Sequence, residues 1–280
     1  MFRVRPLPAE ATASYAQRLA DVYQLTLPQL LDGAGITLHG HGTPPSAELH
    51  LNHNACRHLA ALARIPLPHL TRALPRLAHS DDAHNTEAAG RWKQLEAEQP
   101  VLACTLCTLH HSHGTTDTAW VHPPPYRMVC PRHQQAAPDP RLTSTVHTWA
   151  TPELVAAHHA HQRLLRNPRA ATAWTTARAI TTRWYDHQQH LTHRWHTRLN
   201  QLYKSNPHLA TTGSASPALL TRDLVTYPET ITLARTLTTL PNRPHRTDDT
   251  LTLIACQLGL TRLTPNGHDP LRVFLTHTRH

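Results

Sequence analysis

The chain has 280 residues, enough for one large or two modest domains, and its 27 Lys and Arg residues outnumber 18 Asp and Glu residues, giving a formal net charge of +9. No apolar stretch is long enough to cross a bilayer and residues 1–8 contain no hydrophobic export signal, so we expect a cytoplasmic protein without a membrane partner, free or nucleoid-associated. The positive charge is carried almost entirely by arginine, which suits contact with phosphates and base edges and would equally attract an acidic protein.

Histidine is unusually common, with 26 residues. Thr, Pro, Arg, Ala and Leu are abundant together with it while Phe and Met are scarce, which indicates a coding bias towards C-rich codons rather than a metal-storage or pH-sensing protein. The histidines within 158–161 and 187–196 lie in helical stretches with Arg and Gln, so we expect them on solvated helix faces.

Two short helices are predicted at the start of the chain. Apolar residues recur at helical spacing over 10–22, and a second helix is predicted over 27–33. Thr26 is predicted to cap the second helix, with Pro28 in its first turn, where the missing N–H is tolerated. Two short helices joined by a tight turn have the shape of a helix-turn-helix.

A second helix pair is predicted over 54–64 and 68–74, and it is the stronger helix-turn-helix candidate. Helix-turn-helix proteins contact DNA through exposed side chains of the second helix and its surroundings. The candidate DNA-contacting residues are Arg57, His58, Arg64, His69, Arg72 and Arg76. The alternative is a plain helical hairpin that packs against a metal module, because the same geometry also docks proteins.

Two short ligand pairs predict a metal site further along the chain. The first is Cys104-Thr105-Leu106-Cys107 and the second is Cys130-Pro131-Arg132-His133. Each spacing lets two side chains of one tight turn reach the same ion, so Cys104, Cys107, Cys130 and His133 are predicted to hold one structural Zn²⁺. Four protein ligands leave no position for a catalytic water, which favours a folding role over a hydrolytic one.

Other ligand assignments stay open at this point. His110, His111 and His113 follow the first pair closely and could supply the fourth ligand, and the cysteines could also be unconnected thiols. Cys56 and Cys256 stand alone and are expected to be small buried apolar side chains.

The sequence gives little evidence for β-strands. At most, a short pair of strands is predicted over 120–122 and 126–129, beside the metal. The second half of the chain reads as helical, and prolines fit first-turn positions in several of its helices. The predicted helices there cover 152–166, 168–202, 217–225, 228–240 and 248–258.

The predicted fold is mainly α, with helix-turn-helix elements, a small zinc-ribbon-like module and a helical C-terminal half. The predicted division is an N-terminal helical region over 1–90, a zinc-binding module over 91–140 and a C-terminal helical domain over 141–280.

Several motifs along the chain belong together. They are Arg5-Pro6-Leu7-Pro8-x-Glu10-x3-Ser14-Tyr15-x2-Arg18-Leu19-Ala20, Leu25-x-Leu27-x2-Leu30-Leu31, a helix at Trp92 that runs into Cys104-x2-Cys107, Trp120, and Val129-Cys130-Pro131-x-His133. With these motifs the chain resembles the TniQ family of transposon-encoded proteins, most clearly over residues 1 to about 165. Thr105 departs from the family pattern, which usually has proline after the first cysteine.

The resemblance implies a non-catalytic adaptor for transposon target-site selection, with Cys104, Cys107, Cys130 and His133 at the positions of the family's metal ligands. Family members bridge a target-recognising module, either a DNA-binding domain or a guide-RNA complex, to an AAA+ ATPase that recruits the transposase. The implied partners are therefore that ATPase or the transposase, together with DNA. A guide-RNA complex and a homodimer remain open.

An enzyme is not expected, because the 18 acidic residues form no spaced Asp/Asp/Glu set and the chain has neither a Walker A phosphate loop nor a Gly-x-Ser-x-Gly elbow. The alternative to the adaptor is a stand-alone helix-turn-helix and zinc DNA-binding regulator derived from the same family. The two hypotheses differ in the binding partner rather than in the fold.

Overall fold

The computed structural model describes residues 3–77, 87–211, 215–240 and 247–277. The fold is helix-rich, as predicted: 51% of the described residues are helical, and they form twelve α-helices with few strands. The chain divides into two compact units, Met1–Val146 and His147–His280. Whether residues 91–140 form a domain separate from 1–90 stays a prediction.

The first unit contains both predicted helix pairs. Helices α1 (Thr12–Val22) and α2 (Leu27–Gly33) form the first pair, and α3 (His53–Ala63) and α4 (Leu67–Ala73) form the second. The predicted cap of α2 is present as a capping box, in which the Thr26 side chain accepts from the Gln29 amide and Gln29 accepts from the Thr26 amide.

A mixed sheet combines two strands that lie between the helix pairs in the chain with one strand that follows the second pair. Strands β1 (Thr37–His39), β2 (Ala47–Leu51) and β3 (Ala89–Gln94) are ordered β1-β3-β2, with β3 parallel to β1 and antiparallel to β2. The sequence did not predict this sheet.

The helix predicted around Trp92 is therefore wrong, because Trp92 lies in β3 opposite Leu49 of β2. The residues of β3 do not alternate between apolar and polar, so the usual strand signal is missing. Gly90 allows close packing in this strand, since a Cβ atom at this position would lie 2.8 Å from Leu51 Cδ2.

One hydrophobic core joins these elements. Leu49 and Leu51 of the sheet, Leu59 of α3 and Leu70 of α4 are fully buried in the same cluster as Leu19 of α1. Cys56 is also buried in this core, as predicted for a lone cysteine.

The polar residues of the opening motif form a buried network rather than an exposed site. Glu10 is 0% and Arg18 1% exposed, and they form an ion pair with an Nε–Oε1 distance of 2.7 Å and an Nη2–Oε2 distance of 2.8 Å. Ser14 donates to Glu10 Oε1, and the Leu7 amide donates to Oε2. Ser14 and Arg18, four residues apart, lie on one face of α1 and both contact Glu10, which precedes the helix, so the motif holds α1 against the N-terminal segment.

A second buried carboxylate caps α1 from a distance. The Ala11 N-cap offers no side-chain acceptor, and Glu48 Oε1 of β2 instead accepts from the Ala13 amide at 3.0 Å. The other oxygen, Oε2, lies 3.1 Å from His122 Nε2. Glu48 therefore satisfies a free helix N–H and ties α1 to the segment that follows Trp120.

The second unit consists of helices α6 (Glu153–Leu164), α7 (Ala170–Asp186), α8 (Thr192–Ser205), α9 (Pro217–Leu220), α10 (Arg222–Thr239), α11 (Thr247–Gln257) and α12 (Pro270–His277). Helix α10 packs against α6 and α7. The predicted helix over 168–202 is wrong in its extent, because the chain breaks between α7 and α8, where Gln188 and His190 adopt positive φ.

Pro228 lies inside α10 and not in a first turn as predicted. Proline cannot donate to the Leu224 carbonyl, one turn earlier, which normally weakens a helix. Arg198 of α8 donates to the neighbouring Val225 carbonyl and forms an ion pair with Glu229 at 2.8 Å. Arg198 thus contacts α10 on both sides of the proline.

Two histidines that were predicted to be solvated are buried. His158 is 2% and His161 1% exposed, and the His161 ring lies 4.3 Å from the Trp174 ring. His161 Nδ1 lies 3.1 Å from the Tyr227 hydroxyl. Tertiary packing decides these positions, since the helical pattern alone does not mark His158 and His161 as inward-facing.

Cys256 is exposed, so the prediction that this lone cysteine is buried is wrong.

Acidification is expected to destabilise the second unit through His161. Burial first, and then the nearby His158, lower the pKa of His161 to about 4 from an ordinary value of about 6.5. The unfolded chain binds this proton more readily, so the contribution is complete above about pH 6.5 and is lost as the pH falls towards about 4.

We expect a loss of up to about 3 kcal/mol over this pH window. Hydrogen exchange of residues 153–186 against pH would measure it. His161→Gln should flatten the profile, whereas His159→Gln, a control at an exposed position on the same helix, should leave it unchanged. Equal profiles for wild type and His161→Gln would contradict the assignment.

Candidate metal centre

Short elements present the two ligand pairs. Strand β4 (Val101–Leu102) pairs with β5 (Trp120–Val121), and between them lies helix α5 (Thr105–His111). The first ligand pair lies at the start of α5, with Cys104 at the N-cap and Cys107 in the first turn.

The second pair lies in a tight turn. The Cys130 amide donates to the Gln135 carbonyl, and the Gln134 amide donates back to the Cys130 carbonyl, both at 2.8 Å. Strands β6 (Gln135–Ala136) and β7 (Val146–His147) form a two-stranded sheet after this turn. The strand predicted over 120–122 is present as β5, but 126–129 forms turns and bends, so that half of the predicted strand pair is wrong.

The four predicted ligands converge in space. Ligand atoms of Cys104, Cys107, Cys130 and His133 all lie within 4.8 Å of one another. His133 Nδ1 lies 3.2 Å from Cys104 Sγ and 3.3 Å from Cys107 Sγ, and Cys130 Sγ lies 3.8 Å from both His133 Nδ1 and Cys107 Sγ. A tetrahedron with metal–ligand bonds of about 2.0–2.3 Å has edges of roughly 3.5–3.8 Å. The four residues are therefore positioned to bind a metal ion.

The electrostatics of the cluster also fit a cation. The hydrogen bond from Cys104 is the main cause that lowers the pKa of the Cys130 thiol to about 5, whereas burial of this thiol acts in the opposite direction. The hydrogen bond with Cys130 and then burial raise the pKa of the Cys104 thiol. Burial and then the charge of Cys130 raise the pKa of the Cys107 thiol. Three thiols at this distance cannot all ionise without a positive charge between them, which a divalent ion supplies.

The alternative histidines do not join the cluster. His111 Nδ1 lies 3.3 Å from the Arg5 carbonyl oxygen and His113 Nε2 lies 3.2 Å from the Arg3 carbonyl oxygen. Among the described residues, the cluster that could hold a metal contains His133 and none of the three histidines that follow Cys107. His133 is therefore the fourth member of the cluster, as predicted.

Sequence reasoning missed Gln135. Its Oε1 atom accepts from the Cys104 thiol at 3.0 Å and from the Thr105 amide and hydroxyl at 3.0 and 2.9 Å. Gln135 is buried and joins the second ligand turn to the start of α5. Its position two residues after His133 was the available signal, but a glutamine side chain that supports a ligand turn has no characteristic spacing.

The N-terminal segment supports the cluster. Leu7 packs with Ala103 and Ala119 in a small apolar cluster that Cys107 and Val121 contact. The Trp120 amide donates to Ser14 Oγ at 2.8 Å. The opening motif and the metal centre thus belong to one packed unit.

The six candidate DNA-contacting residues lie at the surface of the second helix pair. Arg57 and His58 are exposed on α3, and His69 and Arg72 are exposed on α4. Arg64 ends α3 in the left-handed conformation with φ 55. His58 Nδ1 lies 2.9 Å from the Ala34 carbonyl oxygen, and partly buried Arg76 pairs with Glu98 at 3.3 Å. Their role in DNA binding stays a prediction.

The fold and the cluster define a helix-rich chain whose first unit carries a three-cysteine, one-histidine centre suited to a metal ion. Residues 1–136 match the model of the TniQ family, which confirms the predicted resemblance over this part of the chain. All four cluster residues lie inside the matched region. No curated protein and no solved structure matches the chain.

The family match supports a transposition-related role in target-site selection. TniQ is a non-catalytic transposition family whose members act with transposase and ATPase partners. Within the described ranges, no helix combines the length and the apolar character needed to span a membrane.

Proposed function

We propose that this protein is a non-catalytic, zinc-containing adaptor for transposon target-site selection, which links a target-recognition module to an AAA+ ATPase and transposase complex. The observation that carries the proposal is the TniQ match over 1–136 with all four metal-cluster residues inside it. In this proposal the first unit supplies the family function. The second unit, His147–His280, supplies further helical surface for a partner protein.

Zinc is the ion that the donor set favours. Three thiolates and one imidazole are soft and borderline ligands that suit Zn²⁺, and four protein ligands fill a tetrahedral shell. The ion would neutralise the charge of Cys104, Cys107 and Cys130 and hold α5 against the second ligand turn. It would leave no coordination position for substrate, so its role is structural.

Partner recovery is the test of the adaptor function. The tagged protein would be purified from its host after nuclease treatment, and its partners would be identified and quantified by mass spectrometry. We expect an AAA+ ATPase or transposase at a near-equal amount. A tagged Cys104→Ser variant should lose the partner if the metal module docks it, whereas Cys256→Ser, at an exposed cysteine outside the cluster, should retain it.

A stand-alone DNA-binding regulator is the second candidate, and the exposed basic residues of α3 and α4 favour it. A regulator would bind a compact operator with steep salt dependence and would recover no ATPase or transposase. Near-equal recovery of the ATPase would exclude the regulator, and its absence together with tight operator binding would exclude the adaptor.

Arginines of the second helix pair are expected to contact DNA. Replacing Arg57 and Arg72 by Ala should weaken duplex binding roughly uniformly across sequences and lower the salt slope by about 2, because each arginine that neutralises a phosphate releases about one counterion. Fluorescence anisotropy with a labelled duplex at several salt concentrations measures both quantities.

The matched control is Arg91→Ala with Lys93→Ala, which removes the same charge from exposed positions of β3. An unchanged affinity and slope for the Arg57 and Arg72 variant would show that this surface does not face DNA.

A further inference from the structure

A cavity beside the candidate metal centre is lined by basic side chains. The proposed function does not use this cavity. Arg3, Arg5, His110, His111 and His113 line it together with Leu109 and Gly114. We call these five basic residues the N-terminal basic cluster. Arg3, Arg5, His110 and His113 are exposed, so their side chains are accessible to a ligand.

The backbone of the segment is held in place by side chains of the first unit. The Arg3 carbonyl accepts from His113 Nε2 at 3.2 Å, the Val4 carbonyl from the Tyr15 hydroxyl at 3.1 Å, and the Arg5 carbonyl from Arg18 Nη2 at 3.0 Å. Val4 is fully buried in the core. Three consecutive carbonyls are therefore anchored, which fixes the two arginines without using their own side chains.

These contacts also assign two histidine tautomers. A carbonyl oxygen can only accept, so His111 carries its proton on Nδ1 towards Arg5, and His113 carries its proton on Nε2 towards Arg3. The two histidines position the segment, and the arginines supply the permanent charge. Within the described part of the chain, neither Arg3 nor Arg5 has a carboxylate partner, unlike Arg18, which pairs with Glu10.

Arg18 adds a third positive charge beside the cluster, because its Nη2 atom donates to the Arg5 carbonyl. Arg18 is 1% exposed, and its Nη1 atom has no hydrogen-bond partner, although its other two nitrogens are satisfied. The Arg18 charge reaches His111 of the cavity, since it contributes to the lowered pKa of that imidazole. The cavity thus lies in the field of three arginines with one carboxylate, Glu10, to offset them.

We propose that the N-terminal basic cluster is a phosphate-binding site that holds one phosphodiester of a nucleic acid duplex, with Arg3 and Arg5 as the direct contacts. Two exposed guanidinium groups on an anchored backbone suit a phosphate, which accepts several hydrogen bonds at once. The site lies outside the helix-turn-helix candidate. It deepens the proposed function by adding a DNA contact at the metal end of the first unit. It rests on the proposed function in one respect, because that function is the reason to expect DNA as a partner.

The test compares two double variants for binding to a labelled duplex of mixed sequence between about 50 and 200 mM salt. Arg3→Ala with Arg5→Ala should weaken binding about tenfold or more and lower the salt slope by about 2. Its unfolding midpoint should match wild type, because the carbonyl anchors remain. Arg91→Ala with Lys93→Ala removes the same charge from β3 and should have a smaller effect on both quantities.

Equal effects of the two double variants would overturn the proposal, because net charge alone would then explain the binding. Calorimetry with inorganic phosphate tests whether the site binds a free phosphate or a phosphodiester of the duplex. Phosphate binding that is lost in the Arg3 and Arg5 variant, with duplex binding unchanged, would also overturn the proposed duplex contact in favour of a free phosphate.

Failure of this site is distinguishable from failure of the proposed function. If the Arg57 and Arg72 variant weakens binding and the Arg3 and Arg5 variant does not, the helix-turn-helix contact stands and this site is wrong. If partner recovery succeeds but wild type binds no duplex, the adaptor stands and the proposed phosphate site is wrong.

Discussion

Cys104→Ser or Cys130→Ser is expected to release the metal and unfold the segment from about Trp92 to Arg141, while the helices of the second unit persist. Structural zinc contributes an apparent 10–16 kcal/mol at about neutral pH in small zinc domains, which is as large as the stability of a whole domain. The segment has little secondary structure of its own, because its strands β4, β5 and β6 contain two residues each.

Metal content by mass spectrometry and limited proteolysis would measure this effect. Wild type should bind one zinc ion per chain and resist cleavage between residues 92 and 141, and either serine variant should lose both properties. Cys256→Ser, the same substitution at an exposed cysteine outside the cluster, should retain them. Full metal content with an unchanged cleavage pattern in Cys104→Ser would exclude the ligand assignment.

Removing one partner of the Glu10–Arg18 ion pair should destabilise the first unit by about 3–5 kcal/mol. Both side chains are almost completely buried, so Arg18→Met leaves the Glu10 carboxylate without its counter-charge, and Glu10→Gln leaves a buried guanidinium. The double variant Glu10→Met with Arg18→Met should lose less stability than Arg18→Met alone, because no buried charge remains.

Hydrogen exchange of residues 12–22 would measure this loss for the first unit separately from the second. Arg141→Ala is the control, because this arginine is half exposed in its pair with Asp139 and should contribute no more than about 1 kcal/mol. A loss below about 1 kcal/mol in Arg18→Met would mean that the pair is not a main support of α1.

Features that depend on neighbouring residues were predictable from the sequence. The ligand pairs Cys104/Cys107 and Cys130/His133 each lie within one turn, and the Thr26 cap is satisfied within three residues. Helices α1 to α4 were likewise predicted close to their observed bounds. In each case the chemistry that specifies the structure is complete within a few residues of chain, so the sequence by itself determined these four helices and both halves of the candidate metal centre.

Features that depend on distant residues were decided only by the tertiary structure. Residues 37–39 pair with 89–91 across some fifty residues, and Glu48 caps α1 from β2. Pro228 continues inside α10, where Arg198 of another helix donates to the adjacent carbonyl, and His161 is buried against Trp174 and Tyr227. No local pattern specifies such contacts, because a strand partner, a remote cap or a buried polar face is selected by the free energy of the whole packed unit.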